Sequence, residues 1–163
     1  MKGSRAETVR KYGNEIDQIV KTVRKWITEN DQPPTAEEIL TKCEDEFFGS
    51  AISLRTNSHE TVMIIDSMRR RLSGRYGILT ELLEDSLSNE IMVNGPDRIY
   101  VEREKVLMRI DDAFTSCEEL EEMIRMFASD VHREINEANP IVDARLPSGF
   151  RVNGVLRNIA LTS

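Results

Sequence analysis

The sequence predicts an α+β protein: an N-terminal three-helix bundle or extension over residues 1–74, then an antiparallel sheet domain with a covering helix over residues 75–163. Three observations lead there. Up to Leu72 the apolar residues recur at steps of three and four, the period of a helix with one buried face. Between Glu90 and Asp111 the pattern changes to alternation, the period of a half-buried strand. Two clusters of turn residues, Asn94-Gly95-Pro96-Asp97 and Leu146-Pro147-Ser148-Gly149, punctuate the second half.

The first helix is read from Val9, Tyr12, Ile16, Ile19, Val20, Val23 and Ile27, and it ends at Asn30-Asp31-Gln32-Pro33-Pro34. Thr35 and Glu38 form a capping box for the second, whose apolar face is Ile39, Leu40, Cys43, Phe47 and Phe48. A third helix spans Ser58 to Leu72, with Val62, Ile65, Met68 and Leu72 expected inward. The junction Arg69 to Gly77, "RRRLSGRYG", holds four arginines. It reads either as a solvated helix end whose cations complement the helix dipole or as a hinge docked on an acidic neighbour.

Beyond the junction, "ILTELLEDS" is a short helix. Ile91 and Val93, Ile99 and Val101, and Val106, Met108 and Ile110 then mark a three-strand meander, with turns at Asn94–Asp97 and Arg103-Glu104. Ser116 and Glu119 open the clearest helix, with Leu120, Met123, Ile124, Phe127, Val131 and Ile135 as its stripe and Asn139-Pro140 as its stop. A closing hairpin completes a sheet of about five strands.

Of the 163 residues, 39% are hydrophobic, enough for a core, and 31% are charged, with a net charge of -7. That balance argues against a general nucleic-acid binder, which needs a broad basic face, but leaves room for a local anion site. Cys43 and Cys117 lie far apart without a CxxC or a nearby His, so reduced thiols are expected rather than zinc or a disulfide. The N-terminus lacks the apolar run of a signal peptide, and no stretch has the apolar length of a membrane span. His59 and His132 read as helix-surface residues, and no catalytic constellation or GxxxxGK[ST] loop occurs.

The closing hairpin carries the chemistry. Pro147 and Gly149 suit positions i+1 and i+3 of a type I turn, which pairs Leu146 with Phe150 and sets Arg145 opposite Arg151. Val142, Ala144, Leu146, Phe150, Val152 and Leu156 then share an apolar face. Asp143, Arg145, Arg151, Asn153 and Arg157 share a polar one. Facing like charges destabilise a sheet, and Asp143, diagonal to Arg151, relieves part of this. The arginines are expected to be exposed, and either unpaired or paired locally with Asp143. The hairpin reads as a hydrated surface, or as an anion clamp in which two planar guanidinium forks grip one phosphate.

"YGILTELLEDSLSNEIMVNGPDRIYVERE" and "NPIVDARLPSGFRVNGV" resemble the N-terminal region of CpaF/Tad-type ATPases, members of the type II/type IV secretion ATPase family, over residues 75 to 160. The resemblance implies a PAS-like N-terminal domain of a hexameric cytoplasmic ATPase, peripheral at the inner face of the membrane, that powers Tad/Flp-type pilus assembly or secretion. It implies a chain truncated before a RecA-like domain with Walker motifs. ATP and Mg would bind in the full-length protein, with no cofactor and no hydrolysis in this fragment. Arg145 and Arg151 would reach the nucleotide phosphates, with Asp143, Asn153 and Arg157 in support and no metal ligand. The expected partners are the chain's own RecA-like domain, neighbouring subunits and an inner-membrane platform protein, with no nucleic acid. A protein-interaction module without a nucleotide role remains the alternative. A stand-alone sensor is a third reading, for which the sequence shows no buried polar cluster.

Overall fold

The computed structural model describes residues 3–146 and 149–155. It is a mixed α+β chain: helices come first and a small three-strand antiparallel sheet follows. Packing groups the residues into two compact units, Met1–Ser116 and Cys117–Ser163, so the compact division falls after Ser116 rather than after Gly74.

In the first unit the long N-terminal helix is broken. α1 spans Arg5–Lys11 and α2 spans Gly13–Glu29, with Tyr12 between them at φ -118 and ψ 21. The break sits where the chain passes under another segment. A Cβ on Gly13 would lie 2.7 Å from the Thr115 carbonyl oxygen, so only glycine lets the two backbones approach. α3 is Ala36–Phe48 and opens with the Thr35–Glu38 capping box, both halves of which are formed. α4 is Ser58–Leu72, capped by Asn57 and Glu60.

One core joins these helices, built on Val9, Ile16, Val23, Cys43, Phe47, Ile52, Ile64 and Met68. Each such aliphatic or aromatic side chain contributes about 1.5–3 kcal/mol on burial. The inward face of α4 departs from expectation. Val62 is 68% exposed, and the buried positions are Ile64, Ser67, Met68 and Arg71. These four keep the i, i+3, i+4, i+7 spacing, but the last is a cation with partners inside.

α5, Thr80–Glu84, leads into β1, Ser88–Val93; β2, Ile99–Arg103; and β3, Val106–Arg109. The order is β1-β2-β3, all antiparallel, with Ile91 opposite Val101 and Val101 opposite Met108. The expected antiparallel meander is therefore formed, with burial alternating at the start of β2 and not along β1 or β3. Ile99 and Val101 are buried, whereas the edge strand β3 is exposed along its length. The second turn lies one residue later than expected: Glu104 and Lys105 have φ of 50 and 65, the left-handed pair of a type I′ hairpin.

In the second unit α6, Cys117–Asp130, packs on a two-strand hairpin of β4, Ile141–Arg145, and β5, Arg151–Val155. The helix ends well before Asn139-Pro140. His132 takes φ 54, its N–H donates to Ser129 O at 3.0 Å, and the Arg133 N–H donates to Ala128 O at 2.9 Å. These are the two bonds of a Schellman cap, and they make His132 a helix terminator rather than a helix-surface residue. Ile135 is thus a loop residue, although it still packs with Ala128 and Val142. Among the described residues the strands form two sheets rather than one of about five. After β3 the chain leaves the meander, and Asp111 to Ala113 bond to α1 and α4 instead.

Candidate functional site

The β4–β5 hairpin is built by its turn and by one apolar face. The Gly149 N–H donates to Leu146 O at 2.8 Å, and the Leu146 N–H donates to Phe150 O at 2.7 Å. Gly149 has φ 94, where a side chain would be strained. Pro147 and Ser148, the middle of the expected turn, lie outside the described residues, as do Leu156 and Arg157.

The register follows: Asp143 pairs with Asn153, and Arg145 pairs with Arg151. Val142 and Leu146 point inward and are 2% and 3% exposed. A Cβ on Gly154 would lie 2.9 Å from Ile124 of α6, so the hairpin sits tightly on the helix. That contact turns the other face outward, and Asp143, Arg145, Arg151 and Asn153 are all exposed on it.

On that face Arg151 forms a two-pronged bond to Asp143, Nε to Oδ1 at 3.0 Å and Nη2 to Oδ2 at 2.7 Å. The hydrogen bonds hold the Asp143 carboxyl below its usual range and raise the Arg151 guanidinium. Both side chains remain largely in water, 46% and 70% exposed, so the pair adds little to stability. Arg145 is exposed and makes no ion pair among the described residues. The hairpin thus presents one free guanidinium beside one held by an exchangeable carboxylate. Chemically, the described residues of this face offer guanidinium donors that an anion could accept from.

A second constellation was not legible in the sequence. At the end of α4, Arg71 is 2% exposed and Asp112 is 1% exposed. The Arg71 Nη1 donates to Ser67 O at 3.1 Å and to Ser67 Oγ, and its Nη2 donates to Ala113 O. Arg70 pairs with Glu81 at 3.0 Å and stands 3.5 Å from Asp112 Oδ2, too far for a good hydrogen bond. Arg69 and Arg5 both pair with Asp66. Burial pushes the Asp112 carboxyl above its ordinary value, against the pull of Arg71, the Ala113 N–H and Arg70.

The arginine-rich junction is therefore neither a solvated helix end nor bare of buried polar groups. It docks on acidic residues of its own unit and clamps the segment after β3 to the helices. The available signal was Arg71 at i+7 from Ile64, a stripe position that an apolar-only reading passes over.

Among the described residues no group of three or more His, Cys, Asp and Glu side chains is placed to hold a metal ion. None of the described helices is long and apolar enough to cross a membrane.

Fold and hairpin together define an α+β protein that displays paired arginines on an otherwise acidic chain. No family model matches it. It is similar to a curated protein of Methanocaldococcus jannaschii, "Uncharacterized protein MJ0781", at 34% identity over 89 residues. The match covers 54% of this chain and 12% of that protein, so the chain spans only a small part of its relative.

Proposed function

We propose that this chain is the N-terminal domain of a hexameric cytoplasmic ATPase of the type II/type IV secretion family, of the CpaF/Tad type, that powers pilus assembly or secretion. Arg145 and Arg151 supply positive charge to nucleotide phosphates held, with Mg, by a RecA-like domain. The chain itself performs no hydrolysis, since its sequence has no phosphate-binding GxxxxGK[ST] loop.

The observation that carries this reading is the facing pair Arg145 and Arg151 on an exposed hairpin surface, with Arg145 free of ion pairs among the described residues. Cations fixed on a rigid hairpin stabilise phosphoryl charge without reorganising. Asp143 holds Arg151 until a phosphate, a stronger acceptor, replaces it.

The test uses the full-length ATPase. Arg145→Ala and Arg151→Ala are expected to lower ATP turnover by about tenfold or more, as charge removal at phosphoryl-transfer sites does, with unchanged melting temperature. Wild-type turnover in both folded variants overturns the phosphate role.

A second reading, the interaction module that docks the motor on its inner-membrane platform, is favoured by the strongly acidic surface of α3. Reversing two exposed carboxylates of α3, Glu37→Lys with Glu44→Lys, while ATPase activity persists distinguishes the two: lost pilus assembly supports docking, and retained assembly counts against it.

A further inference from the structure

We propose that the groove between α2 and α3 docks a basic, amphipathic segment of a partner protein. The inference rests on the interaction reading above and is independent of the hairpin.

The groove encloses about 350 Å³ and is lined by Trp26, Glu37, Glu38, Thr41, Lys42 and Asp45. Trp26 is half-buried and rooted against the helical core, so it presents a fixed indole surface rather than a mobile one. Glu37, Thr41 and Asp45 fall on one row of α3 at steps of four, and Phe48, three residues beyond Asp45 on the same side of the helix, is 63% exposed. Apolar surface thus adjoins the carboxylates, with Trp26 in the groove and Phe48 one turn beyond Asp45.

The charges select the partner. From Trp26 to Leu54 the sequence has seven carboxylates and one cation, Lys42, so this stretch holds six of the chain's seven net negative charges. Lys42 is already paired with Glu46 at 2.6 Å. Glu38 accepts the Thr35 N–H and hydroxyl, bonds that hold its carboxyl below the usual range and keep it ionised. Glu37 and Asp45 make no ion pair among the described residues and stay open to an incoming cation.

Lysine or arginine side chains meet both the carboxylates and the indole face, which attracts cations. The apolar side of the same segment covers Trp26 and Phe48. Nucleic acid and anionic lipid are repelled by the same field.

Trp26 is the single tryptophan of the chain and reports the site directly. The whole chain is titrated with a helical Leu/Lys amphipathic peptide and with its Leu/Glu counterpart, followed by Trp26 emission and by calorimetry. The Leu/Lys peptide is expected to shift the emission and bind with one-to-one stoichiometry, and the Leu/Glu peptide to do neither. Both Glu37→Lys with Asp45→Lys and Trp26→Ala, read by calorimetry, are expected to weaken binding by about tenfold, the loss typical of an anchor residue. Glu118→Lys with Glu122→Lys, an equal charge change on exposed positions of α6, is expected to stay within about twofold, as distant surface charges do. An unchanged Trp26 emission overturns the proposal. So does equal weakening by the α6 variant, which marks diffuse charge attraction. Circular dichroism melts confirm that each variant is folded, and none of these outcomes bears on Arg145 or Arg151.

Discussion

Replacing Arg71 with Met keeps the length of the side chain and removes its charge and donors. In the native fold those donors serve Ser67 O, Ser67 Oγ and Ala113 O, and the guanidinium lies in the field of the buried Asp112. The substitution leaves the Ala113 carbonyl, previously bonded to Arg71, without that donor, a loss of about 1–3 kcal/mol. It also removes one of the cations that offset Asp112. Breaking a buried charge pair by deleting one partner costs about 3–5 kcal/mol in all, a large share of the roughly 5–15 kcal/mol that holds a domain together.

The pH dependence has a definite sign. The folded Asp112 carboxyl already sits above its ordinary value of 3.8, so the folded state binds the proton more tightly than the unfolded chain. Its contribution is therefore most favourable at low pH and is lost as pH rises from that ordinary value through the folded one. Removing Arg71 raises the folded value further, so the deficit of Arg71→Met should shrink in mildly acidic buffer. Adding Asp112→Asn should recover part of it at neutral pH. Urea unfolding followed by Trp26 fluorescence reads the first unit alone, because Trp26 packs on that unit's core. A loss under about 1 kcal/mol at neutral pH, well below the cost of an uncompensated buried charge, refutes the reasoning. A deficit independent of pH refutes it equally.

Three further outcomes follow from the geometry. Asp111 accepts the N–H groups of Arg5 and Ala6 at 3.1 Å each and so caps α1 from a distant segment. Although burial opposes it, these bonds hold its carboxyl below the usual range, so the cap is present above the ordinary aspartate value and lost on acidification through the lower folded one. Asp111→Ala should cost about 1 kcal/mol and speed hydrogen exchange at both amides. Glu104 and Lys105 occupy left-handed positions that disfavour side chains. Glu104→Asn with Lys105→Gly should therefore raise stability by about 1 kcal/mol in a urea melt. The Cys43 thiol is fully buried and pushed up to about 11 by that burial. A thiol reagent should modify the partly exposed Cys117 first and reach Cys43 only on the timescale of unfolding.

The elements that were legible share a property: their signal lies in side chains whose environment is set locally. The Thr35–Glu38 cap, the α2 stripe, the three-strand antiparallel meander and the Arg145–Arg151 register all follow from spacing and turn chemistry within a short stretch. Helical periodicity survives because one face of each long helix is buried, and a hairpin register survives because the turn sets it.

The elements that were misread depend on a distant partner or an unusual residue in a familiar role. The helix break at Tyr12 needs the Thr115 carbonyl above Gly13. The end of α6 uses a histidine where glycine or asparagine is the usual signal. Arg71 stands on the inward stripe of α4 because Ala113, 42 residues away, offers it an acceptor. Sequence spacing was enough to set helix, strand and hairpin, since each follows from local torsional preference and a one-sided apolar pattern. The buried arginine, the docking of Asp111 to Ala113 and the compact division after Ser116 were decided by the tertiary fold. A buried charge is tolerated only where a remote backbone carbonyl and a counter-charge converge on it, and that convergence is a property of the folded chain.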